Sequence, residues 1–202
     1  MAEDETVSVE DTDRTELFAA ILLGIAATLT AVSAFFSAAA GGDELAAFNT
    51  STAKLTDANF FFQQGNQTIA SDSQLFVAFL QAEQTGTESG FITDLMSESL
   101  EASVDDWNTN DEVFTPFDSE FYVVDDFATA EGLQAESDAA LEDAEEAGGR
   151  GDKLDLSTVV FAAALFVGGI ISGFRKRSLQ LSMLGVGTVL TVIGTVVMLS
   201  GM

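Results

Sequence analysis

Residues 17–40 form a run of 24 without a single ionisable side chain, and nothing else in the chain constrains the fold so much. At 1.5 Å rise per residue a helix of that length reaches about 36 Å, beyond the roughly 30 Å hydrocarbon core of a bilayer. A backbone in lipid has to satisfy its own hydrogen bonds, so the run reads as a membrane-spanning helix. Two further runs close the chain: 156–174 with 19 residues, and 178–202 with 25, where Gln180 is the one strongly polar side chain apart from hydroxyls. Only Arg175, Lys176 and Arg177 lie between them, three of the seven basic residues. A turn that short obeys the positive-inside rule, which puts residues 175–177 in the cytoplasm and 41–155 outside. Counting back through the first span puts Met1 in the cytoplasm too. Arg14 in the N-terminal tail agrees; Arg150 and Lys153, outside and close to the second span, run against it. Residues 1–16, with seven acidic side chains, read as a disordered cytoplasmic tail. Ala38-Ala39-Ala40 has the look of a signal-peptidase site, but the acidic start and the length of the run favour a retained anchor.

Beyond a short step at Gly41-Gly42-Asp43, apolar residues recur at every seventh position: Phe48, Leu55, Phe62, Ile69 and Phe76. A repeat of seven asks for a partner helix. Thr52, Asn59, Asn66 and Ser73 fill the other seam position, where polar side chains either set register or border a wet groove. Asp43 suits the cap of a helix over 44–84, and 85–90 is a turn. A second helix is predicted over 91–107, burying Ile92, Leu95, Met96, Leu100 and Val104. After a loop over 108–116, a third helix over 117–147 presents Phe117, Phe121, Val124, Phe127, Leu133 and Leu141, and Gly148-Gly149-Arg150-Gly151 breaks it before the next span. The expected fold is an all-α integral membrane protein: three transmembrane helices and an antiparallel helical stalk outside, in which Leu45, Phe48, Leu55 and Phe62 meet Leu133 and Leu141. Phe60-Phe61-Phe62 with Phe76 and Phe79 is more than one partner helix can cover, so a third helix or a second subunit must take the rest.

The chain has 33 acidic and 7 basic residues, a formal charge of −26, with 26 acidic and 3 basic in 41–155. Carboxylates spread this evenly on a chain that is 47% hydrophobic match proteins adapted to molar salt, which screens their repulsion. Nucleic acid is excluded as a partner, because phosphate binding needs clustered Lys and Arg. With neither Cys nor His, the chain lacks thiolate chemistry, the commonest general base and the commonest transition-metal ligand. No span holds an ionisable group for a proton relay or charged substrate, and no phosphate-cradling loop or nucleophile elbow occurs. No enzyme and no cofactor are indicated.

Four smaller patterns are candidate sites. Asp106-x-Asn108-x-Asn110 matches the first three ligand positions of a calcium loop, with Val113 at the apolar position. However, Asp111 replaces the glycine of the sharp turn and Phe117 stands where a bidentate Glu is needed, so it reads as a solvated acidic loop. Asn49-Thr50-Ser51 and Asn66-Gln67-Thr68 are N-glycosylation acceptors on the outer side. Gly169 and Gly173, with Ala20 and Gly24 followed by Thr28, are small-residue stripes suited to contact between spans one and two. Arg175, Lys176 and Arg177 set topology.

At Ala53-Lys54-x-x-Asp57-x-x-x-Phe61-Phe62-Gln63 the chain resembles a family of uncharacterised membrane proteins, of unknown-function domain, as an acidic member of haloarchaeal type. That family has one N-terminal span, a long helical insert and a C-terminal pair of spans joined by a short basic turn. Asn59 stands where it usually has an aromatic. The resemblance implies the architecture and no chemistry. The resulting expectation is a membrane-anchored structural or interaction protein of the cell envelope that self-associates, its acidic stalk presenting a surface to a partner or to the same protein. The alternatives are an accessory or sensory subunit of another membrane protein's complex, and a small oligomeric channel.

Overall fold

The computed structural model describes residues 3–86, 89–110, 114–174 and 176–202, with side chains from Glu16 onward except those of Ser172 and Arg177. The described residues are helical and contain no strand: α1 (Glu3–Thr85), α2 (Gly90–Thr93), α3 (Glu98–Thr109), α4 (Asp125–Ile170) and α5 (Arg177–Gly201), with 3-10 turns at Pro116–Asp118 and Ile171–Gly173. Three helical segments are long and apolar enough to cross a membrane: Glu16–Thr85, Asp125–Ile170 and Ser178–Gly201. The chain divides into two compact units. One is Met1–Phe48 with Leu141–Met202, and the other is Asn49–Ala140.

In the first unit the helices meet through small residues. Ala19, Ala26, Ser33 and Ala40 are buried on α1 at steps of seven. Small side chains let the helices approach closely enough for extensive van der Waals contact. The spacing is tight at several glycines. A Cβ on Gly168 would stand 2.8 Å from Leu23, one on Gly194 2.6 Å from the Phe161 ring, and one on Gly187 3.0 Å from Leu22. Leu154, Phe161 and Met198 form the buried cluster, flanked by Leu29 and Val32. At its centre Ser33 Oγ and Ser157 Oγ are hydrogen-bonded to each other. The Leu154 carbonyl lies 3.0 Å from Ser33 Oγ and 2.7 Å from Ser157 Oγ, so one serine donates to the carbonyl while the other donates to its fellow hydroxyl, and neither is left unsatisfied. Partners along α1 (Leu23, Ser33, Ala40, Glu44) meet descending positions on α4 (Gly168, Ser157, Gly151, Gly148).

Several sequence expectations are corrected here. Helix α1 is described from Glu3, so the backbone of residues 3–16 is helical. It also passes through Gly41-Gly42-Asp43 without a step, and Asp43 caps nothing. Likewise α4 runs unbroken through Gly148-Gly149-Arg150-Gly151. Positive φ occurs at Gly86 alone among the described residues, so these glycines keep helical backbone. Gly148 and Gly151 are used for contact instead: added Cβ atoms would meet Glu44 at 3.0 Å and the Ala40 methyl at 3.7 Å.

In the second unit α1 and α4 again share a small-residue seam. Ser51, Ala58 and Asp72 are buried at multiples of seven, with Ala130 and Ser137 buried on α4. Ser51 and Ser137 hydroxyls lie 3.0 Å apart, and Ser137 also donates to the Ser51 carbonyl. Gly65 sits against the Phe127 ring, which a Cβ would approach to 3.0 Å. The large apolar stripe is therefore not the seam. Leu45, Phe48, Leu55, Phe62 and Leu141 are exposed, as are Thr52, Asn59 and Asn66. Large side chains at the contact line would have held the two backbones too far apart for the serine pair to form.

The predicted helix over 91–107 is two helices. Ser97 accepts the Leu100 N–H at 3.1 Å and caps α3, so the chain cannot run on as helix from α2. Met96, Leu100 and Val104 are buried and pack with Phe76, Phe79, Ile92, Phe117 and Tyr122. A third helix thus covers Phe76 and Phe79, whereas Phe60 and Phe62 stay 61% and 54% exposed. Nor does the next helix begin at Phe117. Pro116 opens a 3-10 turn closed by Thr115 and Asp118, and α4 begins at Asp125. The backbone between is tied to α3, where Ser99 Oγ donates to the Phe121 carbonyl and accepts the Val123 N–H.

Candidate functional surface

The calcium-like pattern is not a loop. Asp106 and Asn108 lie in the last turn of α3, and Asn110 follows as its cap, its N–H donating to the Asp106 carbonyl. The Asp106 carboxylate accepts the Ser119 hydroxyl at 2.6 Å. Helical spacing spreads the three side chains instead of converging them; Asp111 and Val113 lie outside the described residues. Among the described residues no group of three or more acidic side chains is placed to hold a metal ion. Asn49 and Asn66 are exposed on α1, and the Asn66 amide donates to the Phe62 carbonyl at 2.9 Å.

The apolar segments of α1 and α4 do touch, but not through the residues singled out for it. Ala20 is exposed, and Gly24, Gly169 and Gly173 have open space where a side chain would grow. The contact uses Gly168 one position away and the Ala19–Ala26–Ser33–Ala40 repeat, which a search for small residues at steps of seven would have found. At the basic turn Lys176 is exposed and precedes α5; Arg175 and the side chain of Arg177 lie outside the described residues. Gln180, buried on α5, donates to the Phe174 carbonyl at 2.8 Å and ties the turn shut. The two bases that run against the topology argument, Arg150 and Lys153, have local partners. Lys153 Nζ reaches the Ser200 carbonyl at 3.5 Å, at the negative end of the α5 dipole, and Arg150 lies 3.9 Å from Glu146.

A groove of about 390 Å³ opens along one side of the α1–α4 seam in the second unit. Leu55, Ala58, Asn59 and Phe62 line it from α1, and Phe127, Ala130, Glu131 and Gln134 from α4. Ala58 and Ala130 make a shallow floor because they are short. Leu55 and Phe62 stand up as its wall, 46% and 54% exposed, with Phe62 edge-on to Phe127 at 5.5 Å. Nearby, Lys54 Nζ pairs with Glu136 at 2.5 Å. The hydrogen bond and charge of Glu136 hold the ammonium pKa above its ordinary value. Such a groove offers apolar area and amides.

A second groove, of about 570 Å³, is bordered by Asp72, Glu98, Asp125 and Asp126. Asp72 is only 5% exposed and accepts the Tyr122 hydroxyl at 2.9 Å. Burial, then the Asp72 carboxylate, pushes the Tyr122 phenol well above its usual range, so the pair acts as a fixed strut between α1 and the start of α4. No protein-family model, curated protein or solved structure matches the chain.

Proposed function

We propose that this chain is a non-enzymatic, membrane-anchored structural or interaction protein of the cell envelope that self-associates. In this reading it crosses the membrane three times, with Met1 and the basic turn in the cytoplasm. Residues 41–155 stand outside as an antiparallel helical stalk, acidic in the manner of salt-adapted, haloarchaeal-type proteins. This is the architecture of the membrane family it resembles. The observation that carries the reading is the apolar surface of the second unit: Phe60, Phe62, Phe91, Leu95 and Phe114 are each more than half exposed on a chain of charge −26. Apolar side chains left on so acidic a surface mark area that a partner covers.

The test has two arms. The chain has no Cys, so single replacements Gln64→Cys and Lys176→Cys give clean labels for a membrane-impermeant maleimide on whole cells. Labelling of the first and not the second is expected, and the reverse would overturn the topology. Affinity capture from native membranes in mild detergent, followed by mass measurement, reads the partner. Multiples of the chain's own mass are expected. A distinct polypeptide in fixed ratio would make it an accessory or sensory subunit instead, and a purely monomeric protein would remove the interaction reading.

A further inference from the structure

We infer that the groove side of α1 in the second unit is the contact between two copies of this chain, with Leu55, Asn59, Phe62 and Asn66 of one copy opposed to the same residues of the other. The inference rests on the membrane reading above and names the surface that self-association uses.

Periodicity is the first argument. Helix α1 carries two seven-residue repeats in the second unit. Ser51, Ala58 and Asp72 belong to the one spent on α4, while Leu55 and Phe62 belong to another that is half exposed. Asn59 and Asn66 alternate with Leu55 and Phe62 at steps of four and three, the spacing of a helix–helix seam. A helix with two seams serves two partners, and within this chain the second is met only at its edge, by Phe127 against Phe62.

Charge says which partner. Copies of −26 repel wherever their carboxylates face each other, so like can meet like only where carboxylates are missing. Between residues 45 and 71, α1 has Asp57 as its only acid and Lys54 as its only base. Lys54 is already paired with Glu136. Asp57 lies two residues from Asn59, about 200° around the helix and away from the seam. A strongly basic partner would find nothing here to bind; a second apolar, amide-bearing stripe finds its complement.

Symmetry gives the register. Copies inserted the same way into one membrane are related by an axis along the membrane normal, so identical residues oppose each other across a two-fold contact. An asparagine at a seam position then meets its own counterpart and can exchange amide hydrogen bonds, which fixes register and favours two chains over higher numbers. Glu131 on the opposite lip of the groove brings one carboxylate per copy near the contact, so the dimer tightens with salt.

Disulfide trapping of the full-length chain in liposomes at molar salt tests this. Asn59→Cys and Asn66→Cys are on the seam and exposed, while Ala53→Cys and Gln64→Cys are exposed on the opposite side. Under mild oxidation the seam variants are expected to form covalent dimers about tenfold faster or more than the controls. The mass of the unmodified protein in mild detergent is read in parallel. Dimers by mass with cross-linking fastest at Ala53→Cys or Gln64→Cys, or equal at all four, would overturn the surface and leave self-association standing. A monomeric mass with no cross-link would overturn both. Seam variants that trap a different polypeptide instead of each other would overturn the identity of the partner.

Discussion

Tyr122 is the only tyrosine of the chain, so tyrosinate absorbance reports one site without ambiguity. Burial and the Asp72 carboxylate both favour the neutral phenol in the folded state and raise its pKa. The stability this gives is fully present below the unfolded value near 10 and is lost as pH rises through the higher folded one. An alkaline titration should therefore show no tyrosinate at pH 10, and its appearance should coincide with loss of helicity. Asp72→Asn should bring the transition down toward the ordinary value; a titration unmoved by that change would rule out the pairing. The glycines make a matched test in the spans. A Cβ on Gly194 would collide with the fully buried Phe161 ring, whereas one on Gly169 meets nothing within 4 Å. Gly194→Ala should lose about 1–3 kcal/mol through overpacking, and Gly169→Ala should be neutral or mildly stabilising. Denaturant unfolding in detergent, followed by circular dichroism, separates the two.

Elements that announce themselves by length were legible in advance. The three uncharged runs are segments of the helices α1, α4 and α5, each long and apolar enough to cross a membrane. The turn at Gly86, the only described residue with positive φ, was equally plain. Helix continuity was misread, because Gly41-Gly42 and Gly148-Gly149 look like breakers when only local propensity is weighed. Neighbouring helical turns, and for Gly148 a close contact with Glu44, override it. The seams were misread for a related reason. Hydrophobic periodicity weights large side chains and picked out Leu55 and Phe62, while the backbones approach through Ser51, Ala58 and Ala130, whose hydropathy signal is weak. The same misreading produced the groove, since a stripe predicted to be core turned out to be its exposed wall. Continuity itself is testable. If α1 is unbroken, Gly41→Ala and Gly42→Ala should each stabilise it by up to about 1 kcal/mol. Gly86→Ala, at φ +66°, should be destabilising. A loss of stability at Gly41 or Gly42 would restore the step between span and stalk.

For the molecule as a whole the governing quantity is charge that finds no partner. Residues 49–140 contain 18 acidic side chains and one base, Lys54, so a single ion pair with Glu136 is the most that this unit can form internally. An exposed pair of this kind does little against so many carboxylates. What remains is screening, whose range falls from about 30 Å at 0.01 M salt to about 3 Å at 1 M. The junction of α3 with α1 is a small apolar cluster: Leu100 and Val104 pack with Phe76 and Phe79, and Trp107 of α3 and Phe117 of the following turn each meet Phe76 edge-on, at 5.3 and 5.9 Å. They have to outweigh repulsion among Glu98, Glu101, Asp105, Asp106 and the acids of α4. Trp107 is the only tryptophan, so its emission reads this junction alone. In dilute buffer its emission should shift to the red and helicity should fall, both recovering in molar potassium chloride. The spans, whose contacts involve no carboxylate repulsion, should keep their share of the helical signal throughout. Emission and helicity unchanged between the two conditions would mean that the apolar contacts suffice unaided. The acidity would then be free of any role in salt adaptation and available for binding cations at the cell surface.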